Sequence, residues 1–186
     1  MPIELYPRPS RISLGMDYKQ HIRIQEDFPK AGISFKDISP LLSNGEAFSS
    51  AIAELKDIVA PLNPDIIIGP EARGFVVGAP LAYALGKGFL MARKKGKLPG
   101  KTIAKTYELE YGTDTLEIPA FGLKKGTRVV LADDLMATGG TLAVLESMLK
   151  EEGIEVVGIV TLIELTDLNG KDKVSAPFFS LVKYPH

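Results

Sequence analysis

Three apolar runs rich in β-branched residues constrain this chain more than anything else in it: "DIIIG" (65–69), "VVLA" (129–132) and "EVVGIVTLIEL" (155–165). They do not alternate polar with apolar. Both faces of the strands they form are therefore covered, as in a parallel sheet with helices on either side. Segments at helical spacing lie between them. "NGEAFSSAIAELKDIVAPLN" sets Phe48, Ile52, Leu55 and Val59 on one helix face, with Asn44 as cap and Pro61 and Pro64 at its end. "ARGFVVGAPLAYALG" reads as a helix stopped by Gly86, and "GTLAVLESMLKEEG" as one closed by Gly153. "GFLMAR" is a further strand, "TYELEYG" and "DTLEI" alternate like strands around a turn at Gly112-Thr113, and "PFFSLVKY" returns as a sheet element. Strands alternating with helices predict an α/β fold, its central sheet mostly parallel and flanked by helices.

At 186 residues, one domain (1–186) is the default. A formal net charge of −1 argues against a protein whose overall field drives nucleic-acid binding. Cysteine is absent, which excludes disulfides, zinc-thiolate sites and thiol catalysis, and two His argue against an all-His metal cage. The first residues lack the apolar core of a secretory signal, and no apolar run approaches the roughly 20 residues of a membrane span. The expectation is a cytoplasmic protein, with no membrane and no nucleic acid among its partners. Three prolines mark residues 1–16 as an arm lying on the surface or on a partner.

"VVLADDLMATGGT" (129–141) carries the chemistry. Asp133 and Asp134 follow Val129–Ala132 at the carboxyl end of a parallel strand, where such sheets gather their ligands. Ala137, Thr138, Gly139, Gly140 and Thr141 then form a small-residue loop opening a helix. Loop amides and the positive end of the helix dipole make an anion cradle, and two threonine hydroxyls add donors. The loop is neither a Walker loop nor a G-x-G-x-x-G fingerprint. Acids repel phosphate but accept hydrogen bonds from a vicinal diol. Together the two halves predict a ribose 5-phosphate as ligand.

This segment resembles the phosphoribosyl-diphosphate (PRPP) motif of type I phosphoribosyltransferases, in which the carboxylates hold the ribose hydroxyls and the loop holds the 5-phosphate. Other segments are similar to the adenine phosphoribosyltransferases in particular. "EARGF" resembles their pyrophosphate loop, which implies a cis peptide before Ala72. "RKKGKLPG" with "YELEYGTDTLEI" resembles their mobile catalytic segment, about residues 93–112. "FPKAGISFKDISPLL" resembles their base-covering hood, about residues 22–42. The likeness runs from about Ile22 to Tyr184 and implies a type I phosphoribosyltransferase-like fold with a small N-terminal hood.

PRPP brings a pyrophosphate, which needs a second anion site. Glu71, Ala72 and Arg73 follow the strand "DIIIG", and the Arg73 guanidinium offers a fork matched to phosphate oxygens. The run 93–105 holds six cations and no acid. Most of those lysines read as a solvated loop, with Arg93 and Lys94 at the strand end the exceptions, and Lys97 is taken with them as a pyrophosphate ligand. In an extended "GISFKD", the Ser34 carbonyl and the Lys36 amide share an edge. They would accept from adenine N6 and donate to N1, a pairing similar to the family's, and the resemblance implies Phe35 and Leu135 on the two ring faces. Ser34, Lys36 and Ala31 stand where the family commonly has an aliphatic residue, Arg and Pro.

The resemblance implies transfer of phosphoribosyl from PRPP to adenine, giving AMP in purine salvage. Glu110 would be the acid/base group, Tyr111 its neighbour and Arg73 the neutraliser of the leaving group. It further implies Mg²⁺ entering with PRPP and water rather than on direct protein ligands, and a homodimer. Two alternatives stay open: a 6-oxopurine (hypoxanthine or guanine) phosphoribosyltransferase, and a regulator that binds PRPP without reacting. No basic helical DNA-binding segment is visible for the latter, and an intact "YELEYG" favours catalysis.

Overall fold

A computed structural model describes residues 15–186, so the arm expected over residues 1–16 lies outside them except for Gly15 and Met16. Close contacts gather into two units, one ending at Ser50 and one spanning Ala51–His186.

In the first unit, β1 (Arg23–Gln25) pairs antiparallel with β2 (Phe35–Asp37), Ile24 opposite Lys36. Arg23 Nη2 binds Asp37 Oδ2 at 2.6 Å, and Asp37 Oδ1 accepts from the Ser39 amide at the start of α1 (Ser39–Ser43). The Ser39 hydrogen bonds, ahead of the Arg23 charge, hold the Asp37 carboxyl below its ordinary range. The connection between the strands contains a cis Phe28–Pro29 bond and is tied by Asp27, whose Oδ1 accepts from the Gly32 amide at 2.7 Å. Asn44 is the predicted cap: its Oδ1 accepts from the Ala47 amide at 2.9 Å in the first turn of α2 (Gly45–Val59).

In the second unit the chain runs β3 (Ile66–Pro70), α3 (Arg73–Leu85), β4 (Gly88–Lys94), β5 (Thr102–Leu109), β6 (Gly112–Pro119), β7 (Arg128–Met136), α4 (Gly140–Glu151), β8 (Glu155–Leu165) and β9 (Phe178–Tyr184). The sheet order is β5-β6-β4-β3-β7-β8-β9. β4, β3, β7, β8 and β9 are parallel, while β6 and β5 add an antiparallel hairpin beside β4. Leu142, Leu145, Met148 and Leu149 of α4 bury one stripe against Ile68, Leu131 and Ile159 of the sheet. Each such side chain stabilises the fold by roughly 1.5–3 kcal/mol. α3 buries Val77 and Leu81 and stops at Gly86, whose φ of 67° lets its amide bond back to Ala82 and Tyr83.

Two elements differ from the sequence reading. β7 continues beyond Ala132 to Met136, because Asp133, Leu135 and Met136 stay in register with Thr161, Ile163 and Glu164 of the long β8. The acidic pair thus lies within the last residues of the strand rather than after it. The hairpin turns at Glu110-Tyr111, not at Gly112-Thr113, since Leu109 pairs with Gly112 and leaves only two residues to reverse the chain. The parallel register sets Ile68 beside both Leu90 and Leu131. Residues leaving β3 and β4 and the last residues of β7 therefore emerge along one edge.

Candidate active site

The loop from β7 to α4 surrounds a pocket of about 100 Å³ lined by Asp133, Leu135 and residues 136–142. Gly139 is the N-cap of α4, in the left-handed region at φ 81°, and no side chain caps the helix. The first-turn amides are thus left without a side-chain acceptor, the arrangement in which a helix start can take an anion. The surroundings of Gly139 and Gly140 differ. A Cβ on Gly139 would meet the backbone of Gly170, with the carbonyl carbon at 2.9 Å; one on Gly140 would find only Thr138 Oγ1, at 3.9 Å. Gly170, remote in sequence, is the floor beneath the loop. A bare Leu-Asn-Gly-Lys gives no sign of that role.

Asp133 lines this pocket, whereas Asp134 is buried beside it and is not part of the lining. The Asp134 amide donates to Asp133 Oδ1 at 2.8 Å, and Asp134 is 5% exposed. Burial, with the Asp134 charge beside it, pushes the Asp133 carboxyl well above its ordinary value. Arg73 opens α3 and places Nε 2.8 Å from Asp134 Oδ2. The close approach that permits this rests on Gly69 and Gly74. A Cβ on the first would lie 2.9 Å from the Ala132 carbonyl oxygen, and one on the second 3.2 Å from Asp133 Oδ1.

One strand further, Glu71 gathers the cations. Its Oε1 accepts from the Lys94 amide at 2.8 Å, and its Oε2 binds Lys97 Nζ at 2.6 Å. The Lys97 hydrogen bond holds the Glu71 carboxyl below its ordinary range, with Lys94 and Arg93 assisting. Arg93 Nε lies 3.3 Å from Glu71 Oε1 but is buried without an aligned hydrogen-bond acceptor, and its guanidinium stands over the Phe75 ring at 5.9 Å. The Glu71–Ala72 peptide is cis, as the resemblance implied.

Lys94 Nζ is directed to Asp114 Oδ2 at 3.2 Å on the hairpin, which raises the ammonium's pKa. Lys105 of β5 pairs with Glu151 and reaches Ser147 Oγ at 2.9 Å, fixing the hairpin's stem to α4. These two anchors were not singled out in the sequence, because partners 20 and 46 positions apart share no local pattern. Glu110 and Tyr111 form the exposed tip, with Tyr111 94% accessible.

In the first unit, Ser34, Phe35 and Lys36 form a connected edge. Lys36 Nζ bonds both the Ser34 carbonyl (3.2 Å) and Ser34 Oγ (2.8 Å), and Ser34 Oγ donates to Glu26 Oε1 at 2.9 Å. Phe35 packs edge-on to Phe28, centroids 5.3 Å apart. A larger cavity of about 460 Å³, lined by Glu146, Ile154, Val156 and Pro177 among others, holds none of the predicted site residues. Among the described residues, no three His, Asp or Glu side chains converge to hold a metal ion, and no helix is long and apolar enough to cross a membrane.

Comparison with known proteins places these features in company. The phosphoribosyl transferase domain family matches residues 36–184. The adenine phosphoribosyltransferase of Desulfitobacterium hafniense (strain Y51) is 51% identical over 171 residues, which is 91% of this chain and 99% of the relative. Among solved structures, adenine phosphoribosyltransferase from Thermoanaerobacter pseudethanolicus superposes with a TM-score of 0.84 at 48% identity, covering 89% of this chain and 97% of that one. The Saccharomyces cerevisiae enzyme, complexed with an imino-altritol bisphosphate and adenine, gives 0.81 at 36% identity, covering 88% of this chain and 95% of that one.

Proposed function

This chain belongs to the phosphoribosyl transferase domain family, and on that footing we propose that it joins adenine to the phosphoribosyl group of PRPP, releasing AMP and pyrophosphate in purine salvage. The observation that carries the reading is the acidic pair set directly beside an uncapped helix start, with Arg73 against Asp134 and Lys97 against Glu71. A diol, a terminal phosphate and a pyrophosphate find matching partners along one sheet edge.

In the reaction the bond from ribose C1 to the pyrophosphate oxygen breaks, a bond from C1 to adenine N9 forms, and N9 loses its proton. The sugar passes through an oxocarbenium-like state, so the site stabilises positive charge on the ribose and negative charge on the leaving group together. Asp133 and Asp134 accept from the ribose hydroxyls and lie near the developing cation. The loop 137–141 holds the 5-phosphate. Arg73, Arg93, Lys94 and Lys97 are assigned to the pyrophosphate. Each of the four lies against an acid side chain, Asp134, Glu71 or Asp114, so the leaving group competes with carboxylates already in place. Glu110 takes or relays the N9 proton when the hairpin tip closes with Tyr111, and closure excludes water from the activated sugar.

The Ser34 carbonyl and Lys36 amide read the 6-amino edge. A carbonyl oxygen has two lone pairs, so Ser34 can keep its bond from Lys36 Nζ while accepting from adenine N6. Phe35 and Leu135 are assigned to the ring faces. Mg²⁺ would enter on the phosphates of the substrate, with Asp133 and Asp134 near it through water rather than as direct ligands. When bound it neutralises charge on the departing pyrophosphate. The reading extends to a cytoplasmic homodimer, testable by sedimentation.

The deciding experiment measures PRPP-dependent turnover of adenine, hypoxanthine and guanine, with and without Mg²⁺. Turnover confined to adenine and dependent on Mg²⁺ is expected. A preference for hypoxanthine or guanine would overturn the base assignment, and absence of turnover with intact PRPP binding would make the protein a regulator.

A further inference from the structure

We infer that Glu117 is a positioning residue for the pyrophosphate site: from β6 it holds the loop between β4 and β5 at two points and so presents Lys97. The inference rests on the assignment of Lys97 to the pyrophosphate and adds the group that keeps Lys97 in place. Sheet order creates the need. β6 lies between β4 and β5, so residues 95–101 must cross it to join its two neighbours. β4 ends beside Leu116 and β5 begins beside Pro119, and Glu117 falls between those two levels, opposite Arg93 on one side and Ala104 on the other. Its Oε1 accepts from the Gly96 amide at 2.8 Å, and its Oε2 accepts from the Thr102 hydroxyl. One carboxylate thus ties the residue before Lys97 to the first residue of β5.

The loop's own backbone bonds lie toward its ends. The Lys95 amide donates to the Thr115 carbonyl at 3.0 Å, the Lys97 amide to the Lys94 carbonyl at 3.3 Å, and the Lys101 carbonyl accepts from the Ala120 amide at 3.0 Å. Two acids supply the rest. Glu71 takes the Lys94 amide and Lys97 Nζ, while Glu117 takes Gly96 and Thr102. They differ in what an arriving pyrophosphate does to them. Pyrophosphate competes with Glu71 for the Lys97 ammonium, whereas both Glu117 bonds come from neutral donors. The loop therefore keeps an anchor when Lys97 turns from Glu71 to the leaving group. The Thr102 hydroxyl, then the Gly96 amide, holds the Glu117 carboxyl below its ordinary range, so it accepts from both as an anion at neutral pH. A lysine stem is flexible, and fixing the backbone at its root narrows where the ammonium reaches.

A test must separate position from charge, because removing any carboxylate near an anion site strengthens anion binding by Coulomb attraction alone. Pyrophosphate affinity is measured by calorimetry with Mg²⁺ and no ribose ligand for wild type, Glu117→Gln, Glu117→Ala and Lys97→Ala, and for each Glu117 variant combined with Lys97→Ala. Gln and Ala remove the same charge, but Gln keeps an oxygen for the Gly96 amide and an NH₂ that can donate to the Thr102 hydroxyl. The Ala variant is expected to bind pyrophosphate about tenfold more weakly than the Gln variant, the loss of one hydrogen bond to a charged group from Lys97. In the Lys97→Ala background the two should agree. Equal affinities of the Gln and Ala variants with Lys97 present would overturn the inference, as would a difference that persists without Lys97. Thr102→Val and Thr102→Ser repeat the comparison with the carboxylate in place: Val should bind pyrophosphate more weakly than Ser, and equality would count against the tie. If Lys97→Ala alone leaves pyrophosphate affinity unchanged, the Lys97 assignment itself falls and takes the inference with it. Thermal melts of each variant report folding separately.

Discussion

Gly139→Ala is the substitution that most directly tests how the phosphate loop is built. The residue sits at φ 81°, where an L side chain costs roughly 1–2 kcal/mol. Its added Cβ would lie 2.9 Å from the Gly170 carbonyl carbon and 3.0 Å from Gly170 Cα. Ordinary carbon contacts begin near 3.5 Å, so the loop or its floor must retreat by roughly 0.5–1 Å, and overpacking of this kind costs about 1–3 kcal/mol. The sum, roughly 2–5 kcal/mol, has two ways to appear. If the loop stays in place, a chain of this size loses about 2–4 °C in Tm per kcal/mol. If the loop lifts away, its hydrogen bonds to the phosphate stretch beyond about 3.5 Å. Ribose 5-phosphate affinity then falls by roughly 30-fold for each 2 kcal/mol. Scanning calorimetry and titration with ribose 5-phosphate measure both. Gly140→Ala is the control, since its Cβ would find nothing closer than 3.9 Å within the protein; its Tm should match wild type within about 2 °C. Gly139→Ala with both Tm and affinity unchanged would refute the close packing of loop on Gly170.

Asp133→Asn should raise the Tm of the ligand-free protein at neutral pH while weakening ribose 5-phosphate binding by roughly tenfold or more. The folded carboxyl titrates above its unfolded value, so Asp133 opposes folding once pH exceeds the unfolded value, and that cost disappears as pH falls back from the raised value to the unfolded one. The Tm gap between variant and wild type should therefore close on acidification, and a variant less stable than wild type at pH 7 contradicts the argument. Glu110→Ala should lower kcat by on the order of 10²–10⁴ with PRPP affinity intact; undiminished turnover would remove Glu110 from the chemistry. Asn44→Ala should cost about 1 kcal/mol in urea unfolding through loss of the bond to the Ala47 amide, and a change below a few tenths would deny the cap.

Local patterns carried a large part of this protein. The continuous apolar runs announced buried parallel strands, and β3, β7 and β8 stand side by side in the sheet. Gly86 and Asn44 marked helix ends through chemistry within a few residues, and both act there. The turn at Glu110-Tyr111 was misplaced by two residues because Gly112 looks like a turn residue. Cross-strand register decided otherwise, setting Gly112 opposite Leu109.

What the letters determined alone was the donor and acceptor inventory of the site: two acids, a small-residue loop and a cluster of cations, each recognisable because it is contiguous in sequence. Tertiary structure decided how these charges pair. Arg73 reaches Asp134, Lys97 reaches Glu71 and Gly170 supports Gly139 across 61, 26 and 31 positions. Separations of that size are closed by sheet order and helix docking, and no periodicity along the chain encodes which side chains that docking brings within 3 Å.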